Sequence, residues 1–221
     1  MKALQVESLF ASFDRLQKLY GNKNLPSIYG AGCIHNPKLF LIFINPTARN
    51  VSASFDWEGI RAPWLGTKHV WKIFYDLGFI SKNLFRVTQI YKVHEWDKDF
   101  ANNLYTDLAD NKVYVTNFAK CTQTDAKPLS NFVLKKYFKL LLREISQVNP
   151  FKIISFGNQV SSLLLDKPVR VANYDGRKEE FLDYGDVKVK VYPVYYPVGQ
   201  GMRNMEKAIK IIKRIKHSKD I

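Results

Sequence analysis

Two asparagines and an indole are the side chains whose type and setting suit chemistry on a flat, polar heterocycle. Asn45 closes the apolar run Leu39-Phe40-Leu41-Ile42-Phe43-Ile44, and Asn117 closes Val113-Tyr114-Val115-Thr116. An Asn amide presents a donor and an acceptor side by side, which matches the imide edge of a pyrimidine. It can equally orient a water or hold a base carbonyl, and Pro46 stiffens the turn behind Asn45. Trp64 lies in Arg61-Ala62-Pro63-Trp64-Leu65-Gly66, where Pro and Gly fix an aromatic in an irregular loop. That is a stacking platform for an extruded base, and Phe55 and Trp57 are further aromatics of the kind. Each residue also has a plainer reading: a strand-ending turn for Asn45-Pro46, an Asx-turn for Asn117, core packing for Trp64.

Two more apolar runs end in polar or turn-forming residues. Ile153-Ile154-Ser155-Phe156 meets Gly157-Asn158, and Val187 to Val191 leads to Tyr195-Tyr196-Pro197-Val198-Gly199-Gln200-Gly201. The stretch Pro197 to Arg203 reads as a flexible loop with an apolar residue and a cation. Proteins that extract a base need a wedge for the vacated space and donors for the adjacent phosphates. Glycines let a backbone approach closely. The plainer reading is a Gly-rich connection to the last helix.

Helical patterns separate these strands. Val6, Leu9, Phe10, Phe13, Leu16 and Tyr20 keep helical spacing up to Gly21-Asn22, and Asn24 to Pro37 is turn-rich. Thr67 suits the cap of a helix burying Val70, Trp71, Phe74 and Leu77, closed by Gly78. Asp97 to Ala109 precedes the second strand, and Ser130 caps a long helix that stops at Asn149-Pro150. A short helix over Asn158 to Leu165 follows the third strand, and Met205 to Lys216 forms the last helix. Residues 81–96 carry no clear pattern, and 167–186 read as a hairpin excursion around Asp175-Gly176. Strands alternating with helices predict an α/β fold, a three-layer α/β/α sandwich around a mainly parallel four-stranded sheet, in one domain over 1–221. In such sheets ligands sit beyond the carboxyl ends of the strands, so the four polar clusters are expected to converge.

The bulk composition narrows the partners. Hydrophobic residues at 46% and charged residues at 24% are ordinary for a globular chain, but a net charge of +14 favours a polyanion, nucleic acid before membrane. Aromatics at 14%, interleaved with basic groups, suit unstacked bases. The cations of the last helix also fit a merely solvated face. Cys33 and Cys121 are the only cysteines, which argues against a disulfide scaffold, an iron–sulfur cluster or a cysteine zinc site. His35, His69, His94 and His217 lack ligand spacing, so no metal and no cofactor are expected. Residues Met1 to Leu19 read as neither signal peptide nor membrane span, which points to a reducing intracellular setting. No G-x-x-x-x-G-K-[ST], G-x-G-x-x-G, G-x-S-x-G or H-E-x-x-H occurs.

Taken in order, the clusters resemble the uracil-DNA glycosylase superfamily over roughly residues 25–215. Tyr29-Gly30-Ala31-Gly32 resembles the lead-in of the iron–sulfur branch, and Phe43-Ile44-Asn45-Pro46 the G-I-N-P-G motif of the mismatch-specific and thymine-DNA branch. Val70-Trp71-Lys72-Ile73 with Leu77-Gly78-Phe79 is similar to the helix that follows there. Tyr114 to Cys121 is similar to the strand ending in a base-reading Asn, and Asn149-Pro150-Phe151-Lys152-Ile153-Ile154 through Gly157 to the hallmark third strand. The resemblance implies hydrolysis of an N-glycosidic bond in DNA, with uracil or a related deaminated base as leaving group. Asn45 and Tyr196 would be catalytic, and Pro46, Trp64 and Asn117 would contact the base. Lys120, Gly199, Gln200, Gly201, Met202 and Arg203 would contact DNA. A monomer acting on single-stranded or lesion-containing duplex DNA is expected, in the cytoplasm or, in a eukaryote, the nucleus.

The chain departs from the family at three points. Asn45 stands where the fastest branch has an acidic residue and cannot act as a carboxylate base, so slow or specialised turnover is expected. Tyr196 replaces the histidine that donates to the base anion, and the four cluster cysteines are missing. Two rival readings follow: a catalytically silent nucleic-acid-binding module, and a hydrolase of free nucleosides or nucleotides, which the charge and the wedge-like loop disfavour.

Overall fold

The computed structural model describes residues 6–127, 129–185 and 187–218, with the Gln200 side chain outside the described part. The chain forms α1 (Phe10–Tyr20), β1 (Ala31–Gly32), β2 (Leu39–Phe43), α2 (Lys68–Asp76), α3 (Lys82–Ile90) and α4 (Lys98–Asp110). It continues through β3 (Val113–Asn117), α5 (Asn131–Val148), β4 (Lys152–Phe156) and α6 (Asn158–Leu164). It ends with β5 (Glu180–Tyr184), β6 (Val187–Val194) and α7 (Met205–His217).

Side chains alternate along the strands and so build two cores. Leu39, Leu41 and Phe43 of β2 point to one face, where they meet Val70, Trp71 and Phe74 of α2, Leu104 of α4 and Ile212 of α7. Phe40 and Ile42 point to the other, against Phe13 of α1, Tyr137, Leu141 and Ile145 of α5, and Val160 of α6. A sheet covered on both faces needs apolar residues at every position, which is why β2, β3 and β4 read as continuous buried runs.

The sheet has six strands in the order β1-β3-β2-β4-β6-β5, not four, and it is mixed. The four inner strands are parallel, and β1 and β5 close the edges in antiparallel fashion. β1 has only two residues, one of them glycine, and leaves no periodic signal. The turn between β5 and β6 lies at Gly185, with Tyr184 opposite Val187, rather than at Asp175-Gly176. Gly176 instead adopts φ +86 against α7, where a Cβ would sit 3.0 Å from the Ile211 carbonyl. β6 runs on to Val194 through Pro193, beyond the expected end at Val191. Pro193 is tolerated because β5 pairs only as far as Val191, so the missing N–H faces no second partner.

Helix boundaries follow their caps. Ser130 Oγ accepts from Val133 N at 3.4 Å, and α5 ends at Asn149 in the left-handed region, just before Pro150. Asp97 caps α4 through Phe100 N at 2.7 Å. Thr67 occupies the cap position of α2, yet its side chain makes no cap bond. Residues 82–90, which carried no pattern, form α3. Only Thr88 is buried there, while Phe85 stacks on Tyr75 at 4.3 Å. The chain leaves β2 for β3 on one side and reaches β4 on the other, so strand order reverses at β2 and opens a crevice at the carboxyl ends.

Candidate base-binding site

A cavity of about 500 Å³ lies beyond the carboxyl ends of all four parallel strands. Its wall takes Asn45, Pro46 and Thr47 after β2, Asn117 from β3, Phe156 and Gly157 after β4, and Tyr196 after β6. Trp64 closes it from the loop before α2, and Gly199, Gly201 and Met202 line its rim. The two asparagines, the indole and the phenol expected to converge therefore share one cavity.

The register of the strands sets the wall. Phe43 pairs with Asn117 across β2 and β3, and its ring stacks on Phe156 with centroids 4.3 Å apart. The same ring meets Trp64 edge-on at 4.8 Å and Tyr196 edge-on at 6.0 Å. Phe43 is thus the hub on which both aromatic walls rest.

Asn45 and Asn117 differ in how they are held. The Asn45 amide nitrogen donates to the Pro46 carbonyl at 3.0 Å, which leaves Oδ1 as the free acceptor. Asn117 keeps 1% of its surface, and its Oδ1 is buried without a hydrogen-bond partner. The indole N–H of Trp64 is likewise buried and unpartnered. An orphan buried polar atom costs about 1–3 kcal/mol, so a buried donor and a buried acceptor left unpartnered on two cavity-lining residues demand explanation.

Trp64 sits at φ +69, an uncommon backbone conformation for a bulky residue. The surrounding structure enforces it: every carbonyl from Arg61 to Leu65 accepts a hydrogen bond. The donors are Tyr29 N at 2.9 Å, Asn50 Nδ2 at 2.7 Å, the Tyr105 hydroxyl, Trp71 Nε1 at 3.0 Å and Val51 N at 3.1 Å, in order. Strain held this way marks a site where geometry matters.

Tyr196 has no hydrogen-bond partner among the described residues, and burial pushes its phenol well above the ordinary range. It therefore stays protonated and can donate. The stretch after it is not an open flexible loop but a 3₁₀ turn, Gly199–Asn204. Gly199 adopts φ +56 with open space around it. Gly201 is needed for internal packing, because a Cβ there would lie 2.0 Å from the Tyr196 carbonyl. Val198 is buried, so the apolar residue available at the rim is Met202, 43% exposed, with Arg203 exposed beside it. The side chain of Gln200 lies outside the described part.

Lys120, expected on DNA, is 0% exposed and ion-paired to Glu144 at 2.6 Å, so it cannot reach a phosphate. Phe55 is 63% exposed and does not line the cavity, and Trp57 lines a separate one with Phe10 and Tyr29. Conversely, Arg49, Asn50 and His69 line the same cavity, though nothing in their local sequence marks them for it. Asn50 is structural: it holds Ala62 O and accepts from Ser52 N at 2.9 Å. Arg49 and His69 are exposed and place cationic or ionisable groups at the mouth. No carboxylate lines the cavity among the described residues.

The family model of the uracil DNA glycosylase superfamily matches residues 29–216, and the chain belongs to that superfamily. A search of curated proteins finds no match. Membership and the cavity's place at the strand ends agree with each other. Among the described residues no helix is long and apolar enough to cross a membrane.

Proposed function

We propose that the protein is a monofunctional DNA glycosylase that releases uracil or a related deaminated base and leaves an abasic site. The observation that carries this reading is the sharing of one cavity by Asn45, Trp64, Asn117 and Tyr196 at the strand ends of a superfamily member. The Asn117 amide on the wall presents the kind of donor–acceptor pair that matches an imide edge, and Trp64 offers a face on which the ring stacks. Asn45 Oδ1, its amide nitrogen already bound to the Pro46 carbonyl, accepts a hydrogen bond from the attacking water and orients it towards C1′. The C1′–N bond breaks with its electron pair leaving on the base while the sugar takes on oxocarbenium character; the water oxygen then bonds to C1′, and the proton it sheds ends on the departed base anion. The protonated Tyr196 hydroxyl donates to the base anion, and Arg49 at the mouth favours negative charge there. Met202 fills the vacated stack, and Arg203 with the backbone at Gly199 contacts adjacent phosphates.

The absence of a carboxylate on the cavity wall, among the described residues, supports one rival: a silent module of the same fold that binds DNA without cleaving it. Single-turnover assays with excess protein over a panel of lesions in single- and double-stranded DNA decide between them. Alkali-labile abasic sites are expected, and are lost in Asn45→Ala and Asn117→Ala. Salt-dependent DNA binding with no abasic product on any substrate would establish the silent module instead.

A further inference from the structure

Lys120 stands three residues beyond Asn117 with its ammonium fully enclosed. It donates to Glu144 Oε2 at 2.6 Å and to the main-chain carbonyl of Asn117 at 2.5 Å. Glu144 Oε1 accepts from the Tyr114 hydroxyl and from Thr116 Oγ1, both at 2.9 Å. One carboxylate on α5 therefore holds two side chains of β3 directly and the main chain of a third residue through Lys120. Burial alone would drive the ammonium towards its neutral form, and Glu144 opposes that. Gly30 makes room for the group: a Cβ there would lie 2.2 Å from the Tyr114 hydroxyl and 2.5 Å from Glu144 Oε1.

Buried ion pairs seldom add net stability over apolar packing, so their presence calls for another explanation. The Asn117 side chain supplies one. Its amide hydrogen-bonds to no described group, so no polar contact of the side chain itself fixes its direction. Its aim comes from the main chain, which Lys120 grips from behind. We propose that Lys120 and Glu144 are positioning residues that aim the Asn117 amide into the cavity. The proposal rests on the reading of Asn117 as the base-contacting residue.

The double variant Lys120→Met/Glu144→Gln tests it. It removes both charges together, and the new amide oxygen still accepts from Tyr114 and Thr116, so the fold is kept. Gly30→Ala disturbs the same group from outside the cavity and serves as a second variant. The first readout is the Asn117 side-chain amide signal in the nitrogen–proton NMR spectrum. It should shift or broaden in both variants while that of Asn50, held by Ala62 O, stays in place. The second is single-turnover base release in a cycle with Asn117→Ala. A loss of about 10- to 100-fold is expected with Asn117 present, as for a reading group misplaced by up to an ångström. With Asn117 absent the further loss should be under about twofold. Equal losses in both backgrounds, or an unmoved Asn117 signal, would overturn the proposal. A wild-type protein that releases no base refutes the glycosylase reading alone, and the NMR readout then decides the positioning role by itself.

Discussion

The two walls of the cavity are built differently. On one side the loop carrying Trp64 has all its carbonyls from Arg61 to Leu65 bound, and the end of β3 is gripped through Lys120. On the other side, the turn after β6 holds Gly199 in open space and leaves Met202 and Arg203 to solvent. Fixed geometry suits a surface that must discriminate between similar bases. A turn with unsatisfied exposure suits a surface that meets a partner. On the proposed function, the first wall reads the base and the second contacts the strand.

The sharpest way to break that assignment is Asn117→Ala. Base release should fall by about 10²- to 10³-fold, as when one donor to a developing oxyanion is removed. Because the amide has no partner in the free protein, the melting temperature should stay level or rise. A marked drop in stability would mean that Asn117 belongs to the core. Tyr196→Phe should lower single-turnover release by about 10- to 100-fold while leaving DNA affinity unchanged, within the range for general acid contributions. The phenol's folded value lies above the ordinary one near 10, so its proton is held through that pH. The pH–rate profile of the wild type should therefore show no descending limb near pH 10, and one that appears there would remove Tyr196 from the chemistry.

On the partner-facing wall the effects should be smaller and different in kind. Met202→Ala should slow release from duplex DNA by about tenfold, against a few-fold at most from single strands, because unstacking a step costs a few kcal/mol only in the duplex. Arg203→Gln should weaken binding to all sequences alike and reduce the salt slope by about 1. If Met202→Ala or Arg203→Gln changes which base is released, the division between the walls is wrong.

The strand ends were legible because an apolar run stopped by Asn-Pro, Asn or Gly-Asn is a local signal, and parallel topology then brings such ends together. What was not legible was anything that depends on distant partners. Lys120 reads as a surface cation until Glu144, on another element, is placed against it. Arg49 lies on a stretch with no pattern of its own and His69 on the exposed side of α2, and only the fold brings both to the cavity. The edge strands escaped for two reasons: β1 is too short for periodicity, and Asp175-Gly176 offered a more familiar turn than Gly185. Glycines 30 and 201 were legible as unusual but not as what they are, clearances for the Tyr114–Glu144 contact and for the Tyr196 carbonyl.

The cavity shared by Asn117 and Trp64 also bears on product release in the proposed reaction. On the proposed glycosylase function, a detached base fits between Asn117 and Trp64 as well as an attached one does. Such a molecule should be inhibited by its own leaving group. Its multiple-turnover rate is then set by how slowly that small product escapes.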